Sequence, residues 1–141
     1  MSFPTGHYFI RSVTQSPDNA IGRYVAEDRS LNPKQIVNGV VESEVQEEWI
    51  IENAGPSGYA LRNAGARVGA LEGKLFAFLI DDPRQFWRIV PFGDKSYRIL
   101  NASDETSGWV FKQGELEQVE VKKLDQSGGE KELWVITSAE R

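Results

Sequence analysis

Two stretches of this chain can be laid over one another by their tryptophans. They are "EEWIIENAGPSGYAL", residues 47–61, and "QFWRIVPFGDKSYRIL", residues 85–100. In both, an isoleucine follows Trp by two positions (Ile51, Ile89), a glycine by six (Gly55, Gly93) and a tyrosine by ten (Tyr59, Tyr97). A third copy, "ELWVITSAER", repeats the start of the pattern with Trp134 and Ile136. The tyrosine it lacks stands near the other end of the sequence. In "GHYFI", Tyr8 precedes Ile10 just as Tyr97 precedes Ile99 and Tyr59 precedes Leu61. The chain therefore divides into three units, about 6–54, 57–92 and 95–138, each opening on a Tyr strand and closing on a Trp strand. Three copies of one unit constrain a fold more than any single motif does.

The units read as all-β. "HYFIRSV", "EEWIIEN", "YALRN", "FWRIV", "YRIL" and "LWVIT" alternate with period two and carry aromatic or β-branched residues. "IGRYVAE", "QIVNGVV", "GARVGAL", "GKLFAFLI", "GWVFKQ" and "QVEVKKL" read the same way. Turn-forming residues fill the gaps at "QSPDN", "LNPKQ", "NAGPSG", "FGDKS", "NASDETSG" and "DQSGGE". Twelve strands, four per unit, point to a β-trefoil with pseudo-threefold symmetry, one domain over residues 1–141. One unit cannot bury its own apolar face. Six strands can close a barrel while three hairpins cap it, which removes exposed edges. Trp49, Trp87, Trp134, Tyr8, Tyr59 and Tyr97 are then core residues at equivalent positions. Trp109 stands outside the threefold pattern and is also assigned to packing. An eight-stranded barrel is the competing fold, and it leaves the threefold spacing unexplained.

The composition removes several chemistries. There is no cysteine, so disulfides, thiol nucleophiles and cysteine metal sites are absent. His7 is the one histidine, which puts the usual zinc sites out of reach, and no nucleophile elbow lies near Ser12 or Ser16. "GPSG" and "QSGGE" are too short for a phosphate loop and lead into no P-loop lysine. No catalytic residue, metal or cofactor is expected. The carboxylates Glu27, Asp28, Asp81, Asp82, Glu115, Glu117 and Glu120 read as surface solvation, since nothing ties a pair of them to a cleft. The net charge of -5 argues against a nucleic-acid partner. The longest apolar run, "LFAFLI", is far short of the roughly 20 residues a membrane helix needs. No basic stretch leads into an apolar core near Met1, so a cytoplasmic protein is expected. The "NAS" sequon at residues 101–103 matters only for an exported chain. A closed barrel is expected to be a monomer.

With little catalytic material, function falls to the loops, which a stiff barrel can hold in shape. A trypsin-like pocket takes Arg or Lys, because a buried Asp waits at its base. "AEDRSLNPKQ" offers Arg29 with Ser30 and Leu31 after it and Asp28 before it, and Pro33 stiffens the downstream side. Arg23 in "NAIGRY", Lys95 in "GDKSY", and Lys122 and Lys123 in "EVKKLDQSGGE" are the other basic loop residues.

The stretches "GHYFIRSV", "GRYVAEDR", "EEWIIENAGPSGYAL" and "ELWVITSAER" resemble the small β-trefoil protease inhibitors of mushrooms. These are the mycocypins, which inhibit cysteine proteases, and related inhibitors of trypsin-like serine proteases. The resemblance implies a reversible inhibitor, not an enzyme, whose partner is a trypsin-like protease. It implies that the loop after the second strand, here "EDRSLNPK", docks through Arg29. It also implies two alternatives. Cysteine-protease inhibition would use the first long loop, where "SPDNAIGRY" has the single Gly22 in place of a double glycine. Asparagine-specific proteases would be met by Asn63 in "LRNAGAR". A carbohydrate-binding trefoil is the reading from another class. "QFW" at residues 85–87 resembles the Gln-x-Trp signature of ricin-type lectin repeats, although Glu47 and Glu132 replace Gln in the other units.

Overall fold

The computed structural model describes residues 3–15, 20–24, 32–38, 45–63, 65–80, 83–114, 117–124 and 129–139. Its strands are β1 (Gly6–Ser12), β2 (Ile21–Tyr24), β3 (Lys34–Asn38), β4 (Val45–Gln46), β5 (Glu48–Asn53), β6 (Tyr59–Asn63), β7 (Ala66–Leu71), β8 (Lys74–Phe78), β9 (Trp87–Pro91), β10 (Tyr97–Asn101), β11 (Asp104–Val110), β12 (Glu120–Lys123) and β13 (Trp134–Ser138). Single 3-10 turns occupy Gly55–Ser57 and Glu130–Glu132. Twelve strands correspond one for one to the expected twelve, and β4 is a two-residue addition ahead of β5. Among the described residues, no helix is long and apolar enough to cross a membrane.

The six Tyr and Trp strands close a ring. β1 pairs with β5, β5 with β6, β6 with β9, β9 with β10, β10 with β13, and β13 returns to β1, all antiparallel. The repeat sets the register. Tyr8 faces Trp49, Tyr59 faces Trp87 and Tyr97 faces Trp134. The hairpins β2–β3, β7–β8 and β11–β12 form the cap, and each leans on the next. Lys34 of β3 pairs with Ala77 of β8, Glu120 of β12 pairs with Lys74 of β8, and Val37 of β3 bridges to Gln118. The pseudo-threefold β-trefoil is thus the observed architecture.

A second set of contacts fixes how cap and barrel meet. Each Trp of the repeat donates its indole N–H to a carbonyl of its own unit's first hairpin strand. Trp49 reaches Ile21 at 2.9 Å, Trp87 reaches Val68 at 3.4 Å and Trp134 reaches Trp109 at 3.1 Å. Ile21, Val68 and Trp109 are therefore equivalent positions. The indoles of all four tryptophans are fully buried. The Trp109 ring lies 5.6, 5.5 and 6.0 Å from those of Trp49, Trp87 and Trp134, so it plugs the capped end of the barrel. At the other end Phe3 does the same, with its ring 5.6, 6.2 and 5.1 Å from Tyr8, Tyr59 and Tyr97. Tyr8 and Tyr59 are buried, and Tyr97 packs against the core half-buried. An aromatic ring removes about 150–250 Å² from water, so these two clusters dominate the core energetics.

Gly58 shows how locally the repeat is specified. Its φ is +106, and a Cβ there would stand 2.6 Å from the Trp87 carbonyl oxygen. Only glycine permits both the left-handed turn out of Gly55–Ser57 and the close approach of β6 to β9.

The main departure from the sequence reading is at "NASDETSG". That stretch reads as a gap, yet β11 starts at Asp104, and Asp104, Glu105 and Thr106 are exposed strand residues. Asp104 is held by its own turn. Its carboxylate accepts from the Thr106 hydroxyl, from the Thr106 N–H at 3.1 Å and from the Ser107 hydroxyl at 3.0 Å.

Candidate functional site

Among the described residues no three His, Asp or Glu side chains gather into a metal-binding group. His7 lies on the outer side of β1 with Nδ1 3.5 Å from Glu48 Oε2, both side chains about half exposed. The partly buried ion pair Arg98–Glu132, at 3.4 Å, links β10 to the turn before β13. These are structural contacts between neighbouring strands.

The position two before each Trp acts as a brace. Glu47 Oε2 accepts from the Ala20 N–H at 2.7 Å. The Gln85 amide makes a two-way link with Ala70, accepting from its N–H at 2.8 Å and donating to its carbonyl at 3.1 Å. Gln85 is thus occupied with the backbone, the Trp87 indole is buried, and the half-buried Phe86 ring between them has the Arg67 guanidinium 4.9 Å from its centroid, so neither signature residue is free to take a sugar.

The leading loop residues Asp28, Arg29, Ser30 and Leu31 lie outside the described residues; the frame that carries them does not. On the upstream side, Arg23 and Tyr24 of β2 pair with Gln46 and Val45 of β4, and Arg23 pairs with Ile36 of β3. On the downstream side, Lys34 and Gln35 pair with Ala77 and Phe76 of β8. Both stems of this connection are anchored in the cap. A loop so held loses less conformational freedom on binding.

The other basic or polar candidates fall in different places. Arg23 is a strand residue whose N–H donates to Asn63 Oδ1 at 3.0 Å, and Gly22 beside it is buried. Asn63 is not a loop residue. It ends β6, is fully buried and spends its side chain on Arg23 and on the Glu48 carbonyl at 3.4 Å. That placement corrects the reading of Asn63 as a displayed asparagine. Lys123 is likewise not in a loop. It is an exposed residue of β12 paired with Ser107, and Lys122 pairs with Gly108 while its ammonium sits 3.2 Å from Glu120. Lys95 does occupy an exposed turn, but a tight one closed by the bond from Phe92 N–H to the Ser96 carbonyl.

One residue that the sequence reading leaves without a role is Asn38, at the end of β3. It is 2% exposed, and its side-chain nitrogen donates to the carbonyls of both Lys112 and Gly114 at 2.6 Å. The available signal was an asparagine inside the apolar run "QIVNGVV".

Fold and frame together define a closed β-trefoil that presents connections on a rigid cap, the class of a binding scaffold. Comparison with known proteins makes this specific. Residues 1–138 match the family described as peptidase inhibitor I66, and the chain belongs to that family. A "Serine protease inhibitor" of Lentinula edodes is 37% identical over 126 residues, covering 87% of this chain and 84% of the relative. The solved proteinase inhibitor from Coprinopsis cinerea superposes with a TM-score of 0.83 at 32% identity, covering 98% of this chain and all of that one. The Rhizoctonia solani agglutinin shares the fold, with a TM-score of 0.74 at 14% identity over 98% of each chain. The protein is therefore of the fungal protease-inhibitor type and not an enzyme.

Proposed function

We propose that this chain is a reversible inhibitor of trypsin-like serine proteases, acting through the connection between β2 and β3 with Arg29 as the leading residue. The observation that carries the reading is the chain-long relationship to a protein described as a serine protease inhibitor. The choice of loop adds two supports. Arg29 has the charge that a pocket with a buried Asp selects. Both stems of its connection are paired into the cap, which limits the ordering cost that makes an ordinary substrate a weak ligand. With both ends of the connection fixed in the cap, a cleaved or strained loop would be kept from leaving the enzyme's cleft.

The test is a titration of trypsin with wild-type protein and with R29A, with chymotrypsin as the specificity control. R29A is expected to weaken trypsin inhibition at least 100-fold, as loss of a buried charge pair at about 3 kcal/mol or more implies. Equal potency of the two proteins would remove Arg29. Failure of the wild type to inhibit trypsin would remove the trypsin-like specificity.

A further inference from the structure

We infer that Asn63 is a positioning residue for the connection between β2 and β3, holding the upstream stem of that connection from another unit of the repeat. Asn63 itself touches no enzyme on this view, which rests on the inhibitor reading above.

The threefold arrangement shows what Asn63 would do if it followed the repeat. Ser12, Asn63 and Asn101 stand opposite Trp134, Trp49 and Trp87, so they occupy equivalent positions. Two of the three spend their side chains locally. Ser12 Oγ accepts from the Thr14 N–H at 3.1 Å, and Asn101 Oδ1 accepts from the Ser103 N–H at 2.8 Å. Each thereby closes the turn that follows its own strand. Asn63 Oδ1 instead accepts from the Arg23 N–H at 3.0 Å, 40 residues away in the first unit.

The Arg23 N–H has equivalents too. The indole bonds match Ile21 with Val68 and Trp109, so Arg23, Ala70 and Phe111, two residues further on, also match. Each stands where a hairpin strand runs out toward its connection. The Ala70 N–H is held by Gln85 at 2.8 Å and the Phe111 N–H by the Lys131 carbonyl at 2.7 Å, both from just ahead of the Trp of the same unit. In the first unit the residue matching Gln85 is Glu47, and it holds the Ala20 N–H instead. The task at Arg23 passes to a side chain of the second unit.

That side chain is built for it. Asn63 is fully buried, and its Nδ2 donates to the Glu48 carbonyl at 3.4 Å, which turns the amide oxygen toward β2. The downstream stem is tied to the same unit, since Lys34 and Gln35 pair with Ala77 and Phe76 of β8. Both stems of the connection that carries Arg29 are thus fastened to the second unit, whose own hairpin connection is a minimal turn at Glu72 and Gly73. Without the Asn63 oxygen the Arg23 N–H loses its acceptor, and the end of β2 gains by shifting toward water. A stem free to shift raises the ordering cost of docking while every group that meets the enzyme is still present.

The test compares trypsin inhibition and trypsin nicking after Arg29 in wild type, N63L, N63D, S12A and N101A. Thermal melts set a temperature at which all of them are folded, and N63A takes the place of N63L if that variant does not fold. N63L keeps the volume and removes the acceptor, whereas N63D keeps the acceptor and removes the donor. N63L is expected to weaken inhibition and to speed nicking after Arg29, each about 10-fold or more, the size of one lost hydrogen bond. N63D should stay within about 3-fold of wild type in both, even with a lowered melt. S12A and N101A should lower the melt and leave inhibition and nicking unchanged, and a merely structural role would make N63L behave as they do. Folded N63L within about twofold of wild type in both measurements would overturn the inference, and so would N63D as impaired as N63L. Wild type that leaves trypsin active removes the inhibitor reading alone. Asn63 is then judged by nicking, which N63L should still speed; equal nicking, or none, in both proteins overturns its role.

Discussion

The two ends of the barrel solve one geometric problem with different parts. At the capped end, three indoles surround Trp109, which comes from inside the repeat, at the position that Ile21 and Val68 occupy in the other units. At the other end, three tyrosines surround Phe3, which comes from ahead of the first strand. The threefold arrangement leaves room on its axis for one large side chain, so three identical copies cannot fill it. One copy must differ, or the plug must come from outside. The capped end takes the first course, and its four indoles are fully buried. The open end takes the second and is tied by polar contacts, from the Phe3 N–H to the Tyr59 hydroxyl at 2.8 Å and from the Tyr8 hydroxyl to the Pro4 carbonyl at 2.7 Å.

The comparison can be broken most directly at Trp109. W109A should cost about 3–5 kcal/mol, the range for removing a fully buried large aromatic, read as a shift of the urea midpoint at constant slope. A loss under 1 kcal/mol would show that the three indoles close over the gap without a plug. Next comes W49F against W109F. The first orphans the Ile21 carbonyl and should cost about 1–3 kcal/mol more than the second, because Trp109 Nε1 has no partner among the described residues. F3A should be milder, about 1–2 kcal/mol, since the ring is half-buried and water can enter its place.

Asp104, remote from both plugs, supplies the smallest effect. Hydrogen bonds from the Thr106 side chain first, then the Thr106 N–H and Ser107, hold its carboxyl below the ordinary 3.8. A carboxylate with a depressed folded-state pKa stabilises above its unfolded pKa, and that contribution fades as pH falls below it. D104N should therefore narrow the stability difference between pH 7 and pH 3 slightly. A widened difference in paired urea melts would refute the assignment.

What could be read ahead of the structure follows the same division. The barrel strands were legible because Trp and Tyr recur where each unit meets the same neighbours. Trp109 was legible as core but not as the plug, since a position that must break symmetry leaves no repeat to align. Phe3 left no trace for the same reason. Asn63 misled because the resemblance asked for a displayed asparagine and "LRNAGAR" offered one, while the amide is consumed in joining β6 to β2 and to the Glu48 carbonyl. Lys123 stands both in the strand stretch "QVEVKKL" and beside the turn "DQSGGE"; the strand reading holds, because β11 begins in a polar stretch and gives β12 a partner as far as Ser107. The loop at Arg29 was chosen on charge and proline, which say nothing of shape. Asn38 was the more informative signal, a polar residue in an apolar strand with a structural job outside that strand.

The ring of barrel strands is completed by pairing β13 with β1, from Tyr8 opposite Ser138 to Ser12 opposite Trp134. Until residues 134–138 have left the ribosome, β1 and β10 each keep an open backbone edge. A product that stops short of the Trp134 strand is therefore the species expected to clump during synthesis, and residues 134–138 govern how much of the chain escapes that fate.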